Sequence, residues 1–238
     1  MSERPERRHA IGRRNFLKRA TLAGAATLAP STLASSTLAP SLAAAGSSDP
    51  APEAQLPSVN PAKPMPETVT ADEIKTLLKL EPNEIRDFVR ATYKSNLRIA
   101  PGGLPAPFSD GRPLGSALYF MVTPDAPVKL HRIKNDQLYH YYLGDPIEVL
   151  LLRDNGDSEL AVVGPNIVGG HLLQLFIPGN TFHTARVTGK RRWFLGASTE
   201  WPGVVPAEDV ELGNAAELAA KYPEAAADIR TFPEPAEK

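Results

Sequence analysis

Cysteine is absent from the 238 residues of the chain. The protein therefore has no disulfide, no thiolate metal ligand and no cysteine nucleophile. The sequence also lacks an internal repeat, the glycine pattern of nucleotide-binding loops and the G-x-S-x-G elbow of serine hydrolases. These absences exclude several large enzyme classes and leave histidine and tyrosine side chains as the main candidates for chemistry.

The first 45 residues lack a long uninterrupted apolar run, which argues against a membrane-spanning helix there. The segment Arg13–Lys18, RRNFLK, precedes an Ala/Thr/Leu-rich stretch, residues 20–45, that has no acidic residue. Pro30 and Pro40 interrupt this stretch, so it is a poor membrane span. Together with the small residues at 43–45, this order is that of a twin-arginine-type signal peptide, with a disordered basic tail as the alternative. We predict that residues 1–45 are removed and that the product is periplasmic or otherwise exported.

Composition divides the rest of the chain into a linker, one domain and a tail. Residues 46–66 are rich in proline and serine and poor in apolar residues, which is typical of a tether. Residues 67–233 have the length of one domain, and residues 234–238 form a polar tail. After cleavage at residue 45 the chain keeps 19 Lys and Arg against 25 Asp and Glu, a formal charge of −6. That charge argues against nucleic acid or a membrane as a partner of the mature protein.

Short stretches rich in branched and aromatic residues, separated by Gly, Pro and Asn turns, fill the domain. Thr70 and Glu73 have capping-box spacing before a helix, and a second short helix is predicted around residues 215–221. Asn155-Gly156 is a strong hairpin signal, and residues 100–115 are predicted as a loop. Strands are predicted at residues 87–94, 116–123, 128–132, 139–143, 147–153, 159–163, 172–177, 183–187 and 193–198. This pattern predicts a mainly β, antiparallel sandwich or barrel with little helix.

Two histidine-containing segments resemble the motifs of cupins, which are small barrel proteins. The first motif, H-x-H-x3-4-E-x6-G, is matched in frame by His131, Ile133, Gln137 and Gly144. The second, P-x-G-x2-H, is matched by residues 178–183, PGNTFH, with Asn in place of the inner Gly. Further matching stretches make the likeness specific to the "cupin 5" group over about residues 77–223; they include LEP at 80–82, ALYF at 117–120, GDPIEVLL at 144–151 and GP at 164–165.

This resemblance implies a fold, an assembly and a class of partner. The fold is an antiparallel double-stranded β-helix, the cupin jelly-roll barrel, with a short N-terminal and a short C-terminal helix. The partner is a small-molecule ligand. The resemblance also implies a homodimer, and the apolar run Glu148–Leu152 supports one because it suggests burial on both faces of a strand.

The chain departs from the group's usual residues at the candidate site. Gln137 replaces the motif glutamate, Ala91 replaces another glutamate, and Tyr139-His140-Tyr141 replaces Trp-His-His. The segment Ile85–Phe88 stands where the group usually has a Glu-Gly-Gly-Tyr turn. Conversely, His183 is present where the group often lacks a histidine.

Strand periodicity and the cupin frame together define the candidate site. If Gln137 points into the barrel, Tyr139 and Tyr141 share its face and His140 faces away. His131 and His183 then converge with Gln137, either as a ligand pocket or as polar core groups that bond one another. The predicted catalytic residues are His131, His183, Tyr139 and Tyr141, and the predicted ligand-binding residues are Gln137, Tyr93, Arg90 and Tyr119. A divalent metal (Fe, Mn, Ni or Zn) would be held by His131, Gln137 and His183, although Gln137 is neutral and Ile133 cannot ligate.

Three functions remain open at this stage. The first is binding of a small polar, sugar-like or enolisable molecule, with isomerisation or epimerisation by a histidine base and a tyrosine acid. The second is a ligand-binding or scaffold barrel without catalysis. The third is a metal-dependent cupin enzyme of dioxygenase or lyase type.

The signal peptide can be tested by replacing Arg13 and Arg14 with Lys. We expect the precursor to accumulate in the cytoplasm, because twin-arginine export reads the arginine pair. Cell fractionation followed by immunoblotting measures this, and unchanged export of the variant would contradict the assignment.

Overall fold

Two antiparallel sheets packed face to face form the domain in the computed structural model, which describes residues 69–86, 88–190 and 192–232. The predicted signal peptide (1–45), linker (46–66) and tail (234–238) lie outside the described residues. Within the described residues, no helix is long and apolar enough to cross a membrane.

The elements follow one another along the chain as short strands between terminal helices. In order they are α1 (Ala71–Leu78), β1 (Glu81–Pro82), β2 (Phe88–Lys94), β3 (Arg98–Ile99), β4 (Arg112–Pro113), β5 (Ser116–Val122), β6 (Val128–Ile133), β7 (Asp136–Gly144), β8 (Ile147–Leu152), β9 (Ser158–Val163), β10 (Gln174–Ile177), β11 (Phe182–Val187), β12 (Phe194–Trp201), α2 (Pro206–Asp209), β13 (Val210–Leu212), α3 (Ala215–Lys221), a 3-10 turn (Pro223–Ala225) and α4 (Ala226–Thr231).

The strand order identifies a jelly-roll barrel. One sheet has the order β1-β2-β5-β12-β7-β10, and the facing sheet has the order β13-β6-β11-β8-β9. A separate two-stranded sheet joins β3 and β4. The predicted mainly β, antiparallel barrel is therefore confirmed, with a few short helices where the sequence predicted one at each end.

The core between the sheets follows the period of two that the strands require. On β5, Phe120 and Val122 are buried against the facing sheet, whereas Met121 points to the outer side. On β8, Ile147, Val149 and Leu151 enter the same core. Interior positions near one end of the barrel are polar instead, and these form the candidate site described below.

Helix α1 covers part of the outer face of the first sheet. Thr70 caps the helix, because its side chain accepts from the Glu73 N–H while Glu73 accepts from the Thr70 N–H, which is the predicted capping box. Ile74 of α1 packs with Leu80 and with the outward residues Met121, Trp193 and Leu195. Helix α1 thus buries part of the outward side of this sheet, while Tyr142 of β7 and Phe176 of β10 stay 46% and 53% exposed.

The C-terminal helices do the same for the other sheet. Leu150 and Leu152, the outward residues of β8, pack against Leu218, Ile229 and Phe232 of the C-terminal segment. The apolar run Glu148–Leu152 predicted burial in a dimer, but the C-terminal helices of the same chain bury its outward residues. The run therefore gives no support to a homodimer, which stays a prediction from the family resemblance alone.

Several local structures differ from the sequence prediction. The loop predicted at residues 100–115 contributes strand β4, which pairs with β3, so the segment is tied down rather than free. Strand β12 runs to Trp201 and not to residue 198, because it pairs with both β5 and β7 over its full length. Strand β13 was not predicted, and it forms because residues 210–212 add to the edge of β6.

Two motif positions are explained by backbone conformation. Gly144 has φ of 89°, and a Cβ there would lie 2.2 Å from the Trp193 carbonyl oxygen, so only glycine fits. Asn180, which replaces the inner glycine of the second motif, has φ of 63°. Asparagine tolerates this left-handed region better than other side chains, so the substitution preserves the turn.

Oligomeric state can be measured directly. If the resemblance is informative, the purified protein should be a dimer at micromolar concentration, and multi-angle light scattering will report its mass. A monomer at every concentration tested would show that the helical cover of both sheets is sufficient in solution.

Candidate functional site

Two buried histidines face each other across neighbouring strands. His131 on β6 and His183 on β11 are direct antiparallel partners, so both side chains lie on the same, inner face of the sheet. Their ring centroids are 4.2 Å apart, and their exposed fractions are 1% and 0%. The pair therefore follows from the register of β6 with β11 rather than from a loop conformation.

Backbone carbonyls fix the orientation of both rings. Nδ1 of His131 is 2.8 Å from the Lys129 carbonyl oxygen, and Nδ1 of His183 is 3.0 Å from that of Thr181. Because a carbonyl oxygen only accepts, both Nδ1 atoms carry the proton and both Nε2 atoms present a lone pair to the interior. The two histidines are thus aligned as acceptors.

The two acceptors have different surroundings. Nε2 of His183 accepts from the Tyr139 hydroxyl at 3.0 Å and lies 3.4 Å from the Gln137 amide nitrogen. Nε2 of His131 is buried and has no hydrogen-bond partner among the described residues. One histidine is therefore a satisfied core group, and the other holds a free lone pair.

Burial keeps this cluster neutral. It lowers the pKa of His131 well below its ordinary value, and the nearby His183 and Arg86 lower it further. Burial lowers the pKa of His183 to about 3, with Arg86 acting in the same direction. Burial also raises the pKa of Tyr139, so the phenol keeps the proton that it donates to His183.

The facing sheet contributes a row of buried polar side chains. Gln137 on β7 pairs in register with Glu200 on β12, and Tyr139 pairs with Ser198, so these four residues lie on the same inner face. The Glu200 carboxylate accepts from the Ser116 hydroxyl at 2.7 Å. Burying so many polar groups at one level of a small barrel costs free energy. This cost indicates that the groups serve a site.

Arg86 enters this row from the turn between β1 and β2. The turn is fixed by Asn83, whose side-chain oxygen accepts from the N–H groups of Ile85 and Arg86 at 3.0 Å each. The Arg86 guanidinium is buried and donates from Nη2 to the Gln137 oxygen at 3.1 Å. It therefore places a positive charge beside the histidine pair.

A cavity of about 270 Å³ opens beside His131 and Arg86. Its walls are mostly apolar and come from β2, β5, β6 and residues 204–210. Its polar lining consists of the buried Arg86, His131 and Glu200, the half-buried Ser116, and the exposed Asn83, Tyr93 and Lys94. The exposed residues lie at the mouth, whereas His131, whose Nε2 has no partner among the described residues, is a buried part of the lining.

Residues 72–212 match the family model described as "Cupin superfamily (DUF985)", the cupin 5 group, which covers more than half of the chain. The chain belongs to this cupin family. The match includes both strands that carry the histidine pair and the turn that carries Arg86.

Two solved structures share the fold of this cupin. A hypothetical protein from Leishmania major is 23% identical, with a TM-score of 0.62, over 70% of this chain and 99% of its own. A protein from Shewanella oneidensis is 21% identical, with a TM-score of 0.60, over 71% of this chain and 99% of its own. At these identities the likeness extends to the fold alone. No curated protein sequence matches the chain.

The cupin barrel brings together four of the residues predicted for the site. His131, His183, Gln137 and Tyr139 form one contiguous buried cluster. Tyr93 lies at the mouth of the cavity, 57% exposed. His140 faces away, as strand periodicity predicts, and bonds Thr199 and Gln174.

The other predicted residues lie elsewhere. The Tyr141 hydroxyl donates to the Gly144 carbonyl, so it is occupied by the turn. Arg90 and Tyr119 are cross-strand partners on the outer side of the sheet, where Arg90 donates to the Leu78 carbonyl and Tyr119 packs against the α1 cluster. The prediction that Arg90 and Tyr119 bind the ligand is therefore wrong, since strand alternation puts both on the face opposite Val89 and Phe120.

Sequence reasoning missed Arg86, Glu200, Ser198 and Ser116. Strand periodicity could have identified Glu200 and Ser198, because extending the strand predicted at 193–198 by two residues places both on the inner face. It could not have identified Arg86, since that residue lies in an irregular turn whose position depends on tertiary packing.

The metal centre implied by the cupin resemblance does not fit these residues. The outward Nδ1 hydrogen bonds of His131 and His183 resemble those of metal-ligating imidazoles. However, Ile133 occupies a ligand position, Gln137 is neutral, and the Arg86 cation already bonds the Gln137 oxygen. In the described residues no three His, Cys, Asp or Glu side chains are grouped to hold a metal. The predicted ligand set His131, Gln137 and His183 is therefore not favoured as a metal centre.

The neutral histidine pair predicts a pH effect on stability. Below about pH 6.5 the unfolded chain protonates these two histidines and the folded chain does not. The free energy of unfolding therefore decreases as the pH is lowered. The slope is up to about 1.4 kcal/mol per pH unit for each histidine. Urea unfolding at about pH 7, 6 and 5 measures it, and a His131→Gln variant should have a shallower slope by about one proton.

Ring NMR provides an independent check on this prediction. The His131 and His183 signals should stay in the Nδ1–H tautomer from about pH 8 to about pH 5. A midpoint near pH 6.5 for either ring would contradict the buried, neutral assignment.

Proposed function

We propose that this cupin binds a small polar molecule in the cavity beside His131. The observation that carries the proposal is the buried Nε2 of His131, a residue of the cavity lining, which has no hydrogen-bond partner among the described residues. A buried acceptor without a donor costs free energy, and a ligand hydroxyl would satisfy it. Binding would therefore gain a hydrogen bond that the free protein lacks.

The cavity also limits the size and character of the ligand. Its volume of about 270 Å³ is just below the range of about 300–1,000 Å³ typical of drug-sized ligands. Apolar walls such as Leu118, Ile133 and Val204 suit a small carbon skeleton, while His131, Arg86 and Glu200 suit polar substituents. These features support a sugar-like or hydroxylated metabolite.

We propose that binding takes place outside the cytoplasm. The support is the order of the twin arginines, the acid-free apolar stretch and the small residues in the first 45 positions. The absence of cysteine is compatible with a compartment in which folding does not depend on disulfides.

Isomerisation or epimerisation is a second candidate, favoured by the same histidine nitrogen. Nε2 of His131 is unprotonated at neutral pH and belongs to a residue of the cavity lining, and a general base must be unprotonated. Tyr139 and Tyr141 do not suit the role of acid, because their hydroxyls are committed to His183 and Gly144. Tyr93 at the mouth is the tyrosine that a bound molecule would contact.

The binding proposal can be tested with simple hydroxylated probes. D-ribose and D-glucose serve as neutral probes, and lactate, glycerate and malate serve as hydroxy acids, with saturation-transfer NMR on the full chain as the readout. At least one should bind, and His131→Phe should weaken its binding about fivefold, since one hydrogen bond is worth about 1 kcal/mol.

The matched control is His140→Gln, which changes a histidine on the opposite face of the same barrel. Its affinity for the probe should equal that of the unchanged protein, and circular dichroism should show that both variants are folded. No binding by any probe, or equal binding by His131→Phe, would refute the proposed pocket.

A further inference from the structure

We propose that the Arg86 guanidinium is the fixed cation of this cupin pocket, taking the place of a metal ion, and that the ligand is a small carboxylate. The inference rests on the pocket proposed above and names the chemical class of its ligand. It follows from the burial, the incomplete bonding and the position of one arginine that the family motif does not include.

Among the residues that the structure describes, none supplies a carboxylate that pairs with the buried Arg86. Its side chain is 6% exposed, and its Nη2 bonds the neutral Gln137 oxygen. Its Nε has no hydrogen-bond partner, and no carboxylate of a described residue lies within ion-pair distance. A buried, incompletely bonded cation is costly, so a native structure that keeps one usually supplies an anion.

A second buried arginine of the same chain also has an unpartnered Nε, but its charge is compensated by carboxylates. Arg112 is 2% exposed and forms ion pairs with Asp110, Glu208 and Asp209. Arg86 has instead the faces of Phe120 and Tyr139, with its central carbon 5.6 and 5.4 Å from the ring centroids. Aromatic faces stabilise a cation only partly, and they leave the guanidinium edge available for a ligand.

Neither of the other charged groups of the cavity forms an ion pair with Arg86. Glu200 is buried, but its carboxylate accepts from Ser116, and the Ser116 hydroxyl in turn accepts from the Val204 N–H. Lys94 is exposed at the mouth and adds a second positive charge. The cavity lining therefore carries two cations against one carboxylate that is already bonded.

The geometry of the two unsatisfied groups suggests how a ligand would lie. A guanidinium binds a carboxylate through parallel N–H donors, which makes it more selective for shape than a metal ion or lysine would be. His131 then accepts from a hydroxyl of the same molecule. A small hydroxy acid satisfies both groups at once, whereas a neutral sugar satisfies only the histidine.

The pairing of Arg86 with position 137 also explains why the metal site is lost. In the cupin frame that position supplies a metal-binding glutamate, and here it supplies an amide oxygen to an arginine. A glutamate restored at 137 would form an ion pair with Arg86 and would not become a free metal ligand. The Arg86 guanidinium and a bound metal ion are thus alternatives at this point of the barrel.

The charge test compares lactate, glycerate and malate with their neutral amides, measured by calorimetry in EDTA with the full chain. We expect each acid that binds to bind at least about tenfold more tightly than its amide, because the ion pair is buried. Arg86→Met should abolish this preference while amide binding persists. Arg86→Lys keeps the charge and should retain part of the preference, which guards against loss of fold in the methionine variant.

Arg90→Met is the matched control, since Arg90 is an exposed arginine on the outer face of the neighbouring strand; it should keep the full preference. Equal binding of acid and amide by the unchanged protein, or a preference that survives Arg86→Met, overturns the inference. Binding of a neutral sugar without any acid overturns it while leaving the proposed pocket intact. Failure of every probe overturns both.

A metal titration gives a second, independent outcome. With Mn²⁺ and Ni²⁺, Gln137→Glu alone should gain no affinity, whereas Gln137→Glu combined with Arg86→Met should gain it. If Gln137→Glu alone raised the affinity for Mn²⁺ or Ni²⁺ about tenfold or more, Arg86 would not be taking the place of the metal ion.

Discussion

The site depends on the requirement that polar groups buried in a small barrel find partners. The antiparallel register of β6 and β11 places His131 and His183 side by side, and backbone carbonyls fix both Nδ1 protons. With the donors committed, each ring offers only an acceptor to the interior. Tyr139 and Gln137 satisfy one of them, and the other, on a residue of the cavity lining, has no partner among the described residues.

The same requirement explains how the barrel tolerates this polar cluster. Both sheets are partly covered on their outer faces by the chain's own helices, α1 on one side and the C-terminal helices on the other. Three apolar clusters therefore stabilise the fold, and only one lies between the sheets. This arrangement lets one end of the interior carry charged and hydrogen-bonding groups at the expense of apolar packing there.

Charge is what separates this pocket from a metal-type cupin site. A metal centre requires neutral imidazoles and an anionic ligand around a cation, and the two imidazoles are present in a suitable orientation. Arg86 brings a permanent cation into the same space, which is why we propose an anionic ligand. The lowered pKa values of both histidines are consistent with that view, because burial and the guanidinium both disfavour the imidazolium form.

The amino-acid sequence by itself determined the class of fold and the residues of the histidine cluster. Alternating strands, the capping box at Thr70 and the motif spacing from His131 to Gly144 are local properties, and local patterns carry such information. Strand periodicity also separates His140 from Gln137. Only the tertiary structure decided which groups are satisfied, because hydrogen-bond partners such as Arg86 with Gln137 are 51 positions apart. It likewise placed Arg90 and Tyr119 outside the barrel, and assigned the apolar face of β8 to the C-terminal helices, since the packing of distant segments is not encoded in any local pattern.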